Sequence, residues 1–193
     1  KGLGKRTEEN LTAALRRFKG KEERAPIDVA LRVAEALLEE LRQSDLVTEA
    51  AYCGSLRRGK ETIGDLDLLA TGPDPGAIMN LFTTLPAVTG VPVSGSTKSS
   101  IRTREGLQVD LRVVAAGEFG AALQYFTGTK EHNVRVREIA VKQGYKLSEY
   151  GVFRVSDNSK VAGATEDDVY AALGLQTPPA PMRENRGEVE LAL

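Results

Sequence analysis

The sequence of 193 residues has few of the side chains on which many enzymes depend. It contains one cysteine (Cys53), one histidine (His132) and no tryptophan. One cysteine excludes an internal disulfide, and one Cys with one His cannot form a Cys/His zinc site. A Ser-His-Asp or Cys-His mechanism would depend on His132 alone. Enzyme chemistry is therefore expected to use carboxylates, and any metal ion that they bind should be a hard, oxygen-seeking one.

Long apolar runs are also absent. No stretch approaches the roughly 18 residues that a membrane span needs, and nothing at Lys1 resembles a signal peptide. Charged residues make up 27% and hydrophobic residues 41% of the chain, which is typical of a folded globular protein. The net charge is -1, but residues 51–146 are net basic and residues 147–193 net acidic. A phosphate-rich partner is compatible with this middle region, whereas a membrane partner is not expected.

Apolar periodicity predicts a mixed sheet packed on helices. Helical spacing covers 27–41, and a second helix is predicted over 77–85. Strands are predicted over 46–53, 63–70, 87–93, 97–103 and 107–114.

The rest of the chain has a different pattern. From Glu118 it is helical, with interruptions at Thr127-Gly128-Thr129 and at Gly144. A small hairpin is predicted over 146–155, and a short helix over 165–173. The proline-rich run 178–181 is expected to end the packed region, so that the charged tail beyond it is a linker.

A possible anion site follows the first long strand. The strand ends at Cys53-Gly54-Ser55, and a short basic segment containing Arg58 comes next. Backbone N–H groups, a hydroxyl and a guanidinium would then face one place, which suits a phosphate. The alternative is an ordinary Gly-Ser turn.

Three aspartates lie on two predicted strands. Asp65 and Asp67 alternate with leucines, so both side chains leave one face of their strand. Two such carboxylates repel each other unless a cation lies between them, and the alternative is a solvated sheet face. Asp110 shares a strand face with Arg112, either as a surface ion pair or beside the first two aspartates. In the second case, Arg112 could neutralise one carboxylate in the absence of metal, and three carboxylates could hold two Mg²⁺ ions.

These motifs together resemble a known signature. Gly54-Ser55, nine further residues and then Asp65-Leu66-Asp67-Leu68, with a later aspartate on a strand, resemble the nucleotidyltransferase superfamily that includes DNA polymerase beta. The complete run 54–67 is similar to the family X DNA polymerases in particular. So is Tyr125-Phe126-Thr127-Gly128 followed by Asn133 and Arg137. The resemblance covers essentially the whole chain and includes the bacterial members.

The resemblance implies an α+β fold: a nucleotidyltransferase palm, with a mixed or antiparallel sheet and helices on one face, followed by a small α+β nucleotide-selecting subdomain. The implied ranges are a helix-hairpin-helix remnant (1–20), the palm (21–116), the nucleotide-selecting or thumb subdomain (117–177) and a linker (178–193). The family's lyase domain and the histidine-rich phosphoesterase domain of bacterial members are absent from this sequence. We therefore expect the polymerase core of a longer bacterial protein.

The resemblance also implies site residues. Asp65, Asp67 and Asp110 would bind two Mg²⁺ ions, or Mn²⁺, and the third would also serve the primer 3′-hydroxyl. The triphosphate would be bound by Arg24, Gly54, Ser55, Arg58 and Gly64. The sugar would be lined by Tyr125, Phe126 and Gly128. DNA contacts are implied for Arg112, Arg137, Gly2 and Gly4.

Helical spacing places two further candidate site residues on one face of a helix. Asn133 and Arg137 lie four residues apart and share a helix face, and family members use them at the minor-groove edges of the nascent base pair. A·T and T·A present the same acceptors there. The sequence departs from the animal enzyme at Lys130, which either contacts the nucleotide or is an exposed helix-start lysine, and at Val134, which replaces a template-stacking lysine. His132 is expected to face solvent or DNA.

The expected function is that of a DNA-directed DNA polymerase core that adds dNMP from dNTP to gapped or primed DNA in base-excision repair. A template-independent nucleotidyltransferase acting on RNA or small molecules is the first alternative, and Asn133 and Arg137 argue against it. A catalytically silent DNA-binding module is the second, and the three aspartates argue against it. We expect a cytoplasmic, nucleoid-associated monomer.

Overall fold

The structure, a computed structural model, describes residues 24–192. The helices are α1 (Ile27–Arg42), α2 (Gly54–Arg57), α3 (Pro75–Thr83), α4 (Phe119–Thr127), α5 (Lys130–Lys142), α6 (Glu166–Ala171) and α7 (Glu188–Leu191). The strands are β1 (Ala25–Pro26), β2 (Glu49–Tyr52), β3 (Thr62–Ile63), β4 (Asp65–Thr71), β5 (Val88–Val93), β6 (Lys98–Thr103), β7 (Gln108–Val114), β8 (Tyr145–Ser148), β9 (Gly151–Arg154) and β10 (Lys160–Ala162). The predicted helix-hairpin-helix remnant, with Gly2 and Gly4, lies outside the described residues.

The main sheet has five strands in the order β2-β4-β7-β6-β5. β4 and β7 are parallel, and the other neighbours are antiparallel. The predicted mixed sheet is therefore confirmed. A tight turn cannot join parallel neighbours, and β4 is connected to β7 through α3 and the β5–β6 hairpin.

One face of this sheet packs against α1 and α3. The apolar stripe of α1, which includes Ala34 and Leu38, is completely buried, and so are Ile78 and Phe82 of α3. Leu66 of β4 belongs to the same core. Asp65 and Asp67 alternate with these apolar residues and leave the opposite face, as the period of a strand predicts.

The second structural unit follows β7. Its core is formed by α4, α5, α6 and a three-stranded antiparallel sheet in the order β10-β9-β8. The helix interruption predicted at 127–129 is confirmed, because Thr129 caps α5 by accepting the His132 N–H at 3.2 Å. The predicted hairpin forms from β8 and β9, and β10 extends it. A small cluster that includes Leu69, Phe119 and Ala122 joins this unit to the main sheet.

The interpretation of the tail as an unpacked linker is wrong for the residues that the structure describes. Arg183 is 2% exposed and Val189 is 1% exposed, and Val189 and Ala192 belong to the second core. The Gln176 N–H donates to the Ala192 carbonyl at 2.7 Å, so the chain returns on itself. The proline-rich run therefore redirects the backbone, and the packed region continues to Ala192.

Within residues 24–192, none of the helices has the length and apolar character that crossing a membrane requires.

Candidate active site

The three aspartates lie on the face of the main sheet opposite α1 and α3, on its parallel pair of strands. Asp67 of β4 lies directly opposite Asp110 of β7, and Asp65 lies opposite Gln108. The alternating burial of β7 places Asp110 and Gln108 on the same face as the β4 aspartates. The structure thus places the three carboxylates predicted to bind metal on one face of two adjacent strands.

These carboxylates repel one another. The pKa of Asp67 is raised to about 6, first by burial and then by the charges of Asp65 and Asp110. Arg112 and Lys98 oppose this shift without cancelling it. An ionised Asp67 is therefore costly until a further cation approaches it.

Asp110 has its own counter-charge. Lys98 Nζ lies 2.9 Å from Asp110 Oδ2, and Gln108 Nε2 donates to Asp110 Oδ1 at 3.1 Å. Burial acts to raise the pKa of Asp110, but hydrogen bonds from Lys98, Ser100 and Gln108 outweigh it and hold the pKa below its ordinary value. Asp110 is therefore ionised, and each of its carboxylate oxygens has a hydrogen-bond partner.

Of the two roles expected for Arg112, the ion pair with Asp110 is formed by Lys98 instead, whereas the charge of Arg112 does act on one of the carboxylates, Asp67. Arg112 lies beside Lys98 across β6 and β7, but its guanidinium stacks on Phe126, with Cζ 4.5 Å from the ring centroid. Only its longer-range charge acts on Asp67. The pairing of β6 with β7 brings in Lys98, and local spacing could not show that pairing.

The fit of these side chains to a metal ion depends on the spacing and the chemistry of the donor groups. Across residues 24–192, no three carboxylate, histidine or cysteine groups are gathered closely enough to hold a metal. The donor chemistry nevertheless fits a hard divalent cation, because all three groups are carboxylates and Asp67 is destabilised by like charges. Binding by Asp110 would require it to exchange contacts with Lys98 and Gln108 for the ion.

Gly54, the first residue of the Gly-Ser turn, lies directly against the Asp67 side chain. Its φ is +60°, and a Cβ at this position would lie 2.4 Å from Asp67 Oδ2. The preceding Cys53 is 1% exposed and donates its N–H to the Asp67 carbonyl at 2.8 Å. Burial raises the pKa of the Cys53 thiol far above its ordinary range, so Cys53 is a packing residue with little thiolate character.

The predicted phosphate ligands have internal partners in the structure. Arg58 donates from Nη1 to the Thr127 carbonyl at 2.7 Å and from Nε to Glu184 Oε1 at 3.3 Å. Lys60 also pairs with Glu184. The Glu184 carboxylate of the tail therefore pairs with the two basic side chains, Arg58 and Lys60, that follow the Gly-Ser turn.

The remaining predicted triphosphate residues lie around this turn. Ser55 is half-buried, and Gly64 is buried between β3 and β4. Arg24 is exposed and is fixed to β3, where it donates to Thr62 Oγ1 at 2.9 Å and to the Thr62 carbonyl at 2.5 Å. The first described residue of the chain is therefore held against β3.

The segment predicted to contact the sugar comprises the end of α4 and Gly128, which lies just before α5. Tyr125 and Phe126 pack edge to face with ring centroids 5.1 Å apart. Asn133 donates from Nδ2 to the Tyr125 carbonyl at 2.7 Å and accepts from Gln124 Nε2 at 3.0 Å. A Cβ at Gly128 would lie 2.9 Å from Asn133 Oδ1. Asn133 therefore fixes this segment in addition to any role toward the nucleotide.

The other residues predicted to contact nucleotide or DNA lie on α5 and differ in their exposure to solvent. Lys130 is exposed at its first position, and Arg137 is half-buried, with Nε donating to the Asn133 carbonyl at 3.2 Å. Val134 is 39% exposed. The expectation that His132 faces solvent or DNA is wrong, because His132 is completely buried against Glu188 and Tyr170.

The sequence analysis missed an ionic link between the two structural units. Arg57 donates from Nη2 to Glu166 Oε2 at 2.6 Å and from Nη1 to Thr127 Oγ1 at 2.9 Å. Arg183 pairs with Glu166 from the tail. Burial acts to raise the pKa of Glu166, but hydrogen bonds from Arg57 and Arg183 outweigh it and lower the pKa. These partners are distant in the sequence, and no local pattern identifies them.

Comparison with family models supports the division seen in the structure. Residues 24–113 match the model described as DNA polymerase beta palm. Residues 122–184 match the model described as DNA polymerase beta thumb. The two matches follow the order of the two structural units along the chain.

Several known proteins are similar to this chain. The DNA polymerase/3'-5' exonuclease PolX of Bacillus subtilis is 37% identical over 98% of this chain, which spans 34% of that protein. DNA polymerase lambda of Rattus norvegicus is 33% identical over 64% of this chain and 26% of its own length. The Repair DNA polymerase X of African swine fever virus is 29% identical over 63% of this chain and 73% of its own length. The chain spans only about a third of the Bacillus relative. With palm and thumb models matched in order and a relative that aligns along nearly all of it, the chain belongs to the family X DNA polymerases.

Proposed function

We propose that this chain is the core of a DNA-directed DNA polymerase that transfers dNMP from dNTP to a primer 3′-hydroxyl. Its proposed substrate is gapped or primed DNA in base-excision repair, and the protein acts as a monomer at the bacterial nucleoid. The observation that carries the proposal is the parallel register that sets Asp67 opposite Asp110, with Asp65 on the same face and Gly54 against Asp67. The proposed palm is 21–116, and the proposed nucleotide-selecting subdomain begins at 117.

Asp65, Asp67 and Asp110 would hold two Mg²⁺ ions, or Mn²⁺. Such ions, when bound, supply charge that favours ionisation of the 3′-hydroxyl and departure of pyrophosphate. Asp110 would orient the primer hydroxyl once Lys98 leaves its carboxylate. In the structure, the Lys98 ammonium lies 2.9 Å from Asp110 Oδ2. Once released from that carboxylate, it would be free to balance other negative charge at the site.

The triphosphate would lie at the turn that begins with Gly54. Ser55 offers a hydroxyl, Gly64 permits close backbone approach, and Arg58 offers a guanidinium fork. Arg24 would contact the same phosphates from β3. Because phosphoryl transfer needs the α-phosphorus in line with the attacking oxygen, these residues contribute mainly by positioning.

Nucleotide selection would take place on the other side of the site. Tyr125, Phe126 and Gly128 would line the sugar, and Lys130 is proposed to contact the incoming nucleotide. Asn133 and Arg137 would read the minor-groove edge, where all correct pairs offer similar acceptors. Arg112, stacked on Phe126, would face the DNA between the two structural units.

Primer extension on DNA with a gap of one nucleotide tests this proposal. We expect Mg²⁺-dependent incorporation of the templated dNMP, and a loss of at least about a hundredfold in rate for Asp110→Ala. The matched control is Asp45→Ala, which removes an exposed carboxylate far from the site. Wild-type rates in Asp110→Ala would contradict the proposal. Equal incorporation of all four nucleotides opposite one template base would support a template-independent enzyme instead.

A further inference from the structure

His132 is held in one orientation by two buried partners. Its Nδ1 lies 2.6 Å from Glu188 Oε1, and its Nε2 lies 2.8 Å from the Tyr170 hydroxyl. Burial acts to raise the pKa of Glu188, but hydrogen bonds from His132 and from backbone N–H groups outweigh it, so the carboxylate is ionised and can only accept. Nδ1 therefore carries a proton. Burial, together with the charges of Arg183 and Arg58, lowers the pKa of His132 despite the opposing effect of Glu188, so the ring is neutral and Nε2 accepts the hydrogen bond of the Tyr170 hydroxyl.

Glu188 links His132 to the folded tail. Its carboxylate also accepts the backbone N–H groups of Asn185 at 2.8 Å and Arg186 at 2.7 Å. The side chain of Glu188 is only 2% exposed, so its charge depends on these partners. The tail around residues 183–192 is therefore organised by a carboxylate whose side-chain partner lies on α5.

A carbon edge of the His132 ring contacts the segment proposed to line the nucleotide sugar. A Cβ at Gly128 would lie 2.7 Å from His132 Cδ2, so the imidazole packs directly on this backbone. The next residue, Thr129, donates its N–H to the Arg183 carbonyl of the tail at 3.1 Å. Gly128 thus packs closely against both His132 and Asn133, and the tail contacts this segment through Arg183 and Glu188.

We infer that His132, held by Glu188 and Tyr170, is a positioning residue that fixes the Gly128 backbone and thereby sets selection against ribonucleotides. This inference rests on the proposed polymerase function. A backbone segment can exclude a 2′-hydroxyl only if it is held to within a few tenths of an ångström, and a rigid ring packed against it meets that need. The tail is in this way part of the nucleotide-selecting site.

Insertion kinetics with dNTP and with the matching rNTP test the inference in the full chain. We expect His132→Leu and Glu188→Gln to lower the dNTP-to-rNTP ratio of kcat/KM by about tenfold, because the sugar pocket loosens. The dNTP KM should rise while kcat changes by less than about threefold, because the three aspartates are untouched. If His132→Leu does not fold, Tyr170→Phe, which removes a single hydroxyl, replaces it in the same comparison.

Val136→Ala provides the matched control. Val136 is completely buried on the same helix and in the same core, so its truncation destabilises this unit without removing the His132 contacts. The ratio should be unchanged in Val136→Ala. An equal fall in this control, or an unchanged ratio in folded His132→Leu and Glu188→Gln, would overturn the inference.

Amide hydrogen exchange separates this inference from the polymerase proposal. Exchange at Gly128 and Thr129 should become at least about tenfold faster in Glu188→Gln and stay unchanged in Val136→Ala. Unchanged exchange in Glu188→Gln would overturn the positioning role. A wild-type protein that extends no primer would overturn the polymerase proposal and the sugar-selection role, while the exchange data would still decide whether His132 holds Gly128.

Discussion

The carboxylate of Asp67 shows how a single residue is shaped by its charge environment. It lies between Asp65 and Asp110, and burial further removes it from water. Its pKa of about 6 compares with an ordinary value of 3.8. Between pH 3.8 and about 6, Asp67 is therefore protonated in the folded protein but ionised in the unfolded chain. Above this range, ionised Asp67 opposes folding until a cation balances its charge.

We expect Asp67→Asn to stabilise the metal-free protein at about pH 7 by roughly 1–3 kcal/mol. In the wild type, stability falls as pH rises from 3.8 to about 6, because only the unfolded state ionises there, and the loss persists at higher pH. Urea unfolding with a chelator present, at several pH values, measures the difference. The gain should vanish below pH 3.8.

The control for this prediction is Asp45→Asn, which alters an exposed carboxylate and should leave stability unchanged within about 0.5 kcal/mol. Excess Mg²⁺ should stabilise the wild type and have little effect on Asp67→Asn. A less stable Asp67→Asn protein at neutral pH would show that the three carboxylates do not repel one another as described.

A second residue-scale prediction concerns Gly54. We expect Gly54→Ala to lower stability by about 2–4 kcal/mol, because it combines a left-handed φ with a Cβ 2.4 Å from Asp67 Oδ2. Gly59→Ala is a matched control, since Gly59 also has a positive φ (+71°) but has nothing within 4 Å of the added Cβ. It should cost about 1 kcal/mol. Equal losses in thermal denaturation would exclude the contact with Asp67.

At the scale of elements, the start of α6 is defined by reciprocal hydrogen bonds. Thr165 Oγ1 accepts the Asp168 N–H at 3.0 Å, while the Asp168 carboxylate accepts the N–H groups of Gly163 and Ala164 at 3.2 Å. The carbonyls of Gly163 and Ala164 in turn accept the N–H groups of Ala121 and Gly120, which begin α4. The turn before α6 therefore satisfies the ends of two helices at once.

We expect Thr165→Ala to destabilise the protein by about 1 kcal/mol, because the Asp168 N–H loses its acceptor. Thr165→Ser keeps a hydroxyl in the same place and should retain most of the stability. Chemical denaturation of the three proteins measures the differences. If Ser and Ala are equivalent at this position, the hydroxyl does not contribute to the cap.

At the scale of the whole molecule, the two structural units are joined mainly by charged groups and a small apolar cluster. Glu166 receives Arg57 from the palm and Arg183 from the tail, and Arg57 also reaches Thr127. The guanidinium of Arg183 lies 5.3 Å from the centroid of the Tyr170 ring. Removing the central carboxylate would leave two partly buried cations facing each other.

We expect Glu166→Gln to cost about 2–4 kcal/mol at neutral pH, because Arg57 and Arg183 lose their shared partner. The pKa of Glu166 lies below its ordinary value of 4.5, so its stabilising effect is complete above pH 4.5 and is lost as pH falls through the folded-state pKa. The difference between wild type and Glu166→Gln should therefore shrink on acidification, which pH-dependent urea unfolding measures.

The exposed pair Arg135–Glu138 gives the comparison for this prediction. Its N–O distance is 3.1 Å, but the Glu138 side chain is 53% exposed. Glu138→Gln should change stability by less than about 0.5 kcal/mol. A loss in Glu166→Gln that is no larger than this would mean that the link between the units carries little energy.

The sequence by itself determined the features that depend on local spacing. Apolar periodicity predicted α1, the mixed sheet and the two helices interrupted at Thr127–Thr129, because side-chain burial follows the repeat of each element. The alternation of Asp65 and Asp67 with leucines was enough to place both carboxylates on one strand face. The ordered motifs from Gly54 to Arg137 were enough to indicate the family.

Only the tertiary structure decided which distant groups meet. Pairing of β6 with β7 gave Asp110 its partner Lys98, and the folded tail brought Glu184 to Arg58 and Glu188 to His132. The charged composition of that tail predicted a solvated linker, but Arg183, Glu184 and Glu188 are largely removed from solvent because each finds a partner from another element. Local patterns record the burial of apolar surface along one element, whereas ion pairs between distant segments depend on how the elements are assembled.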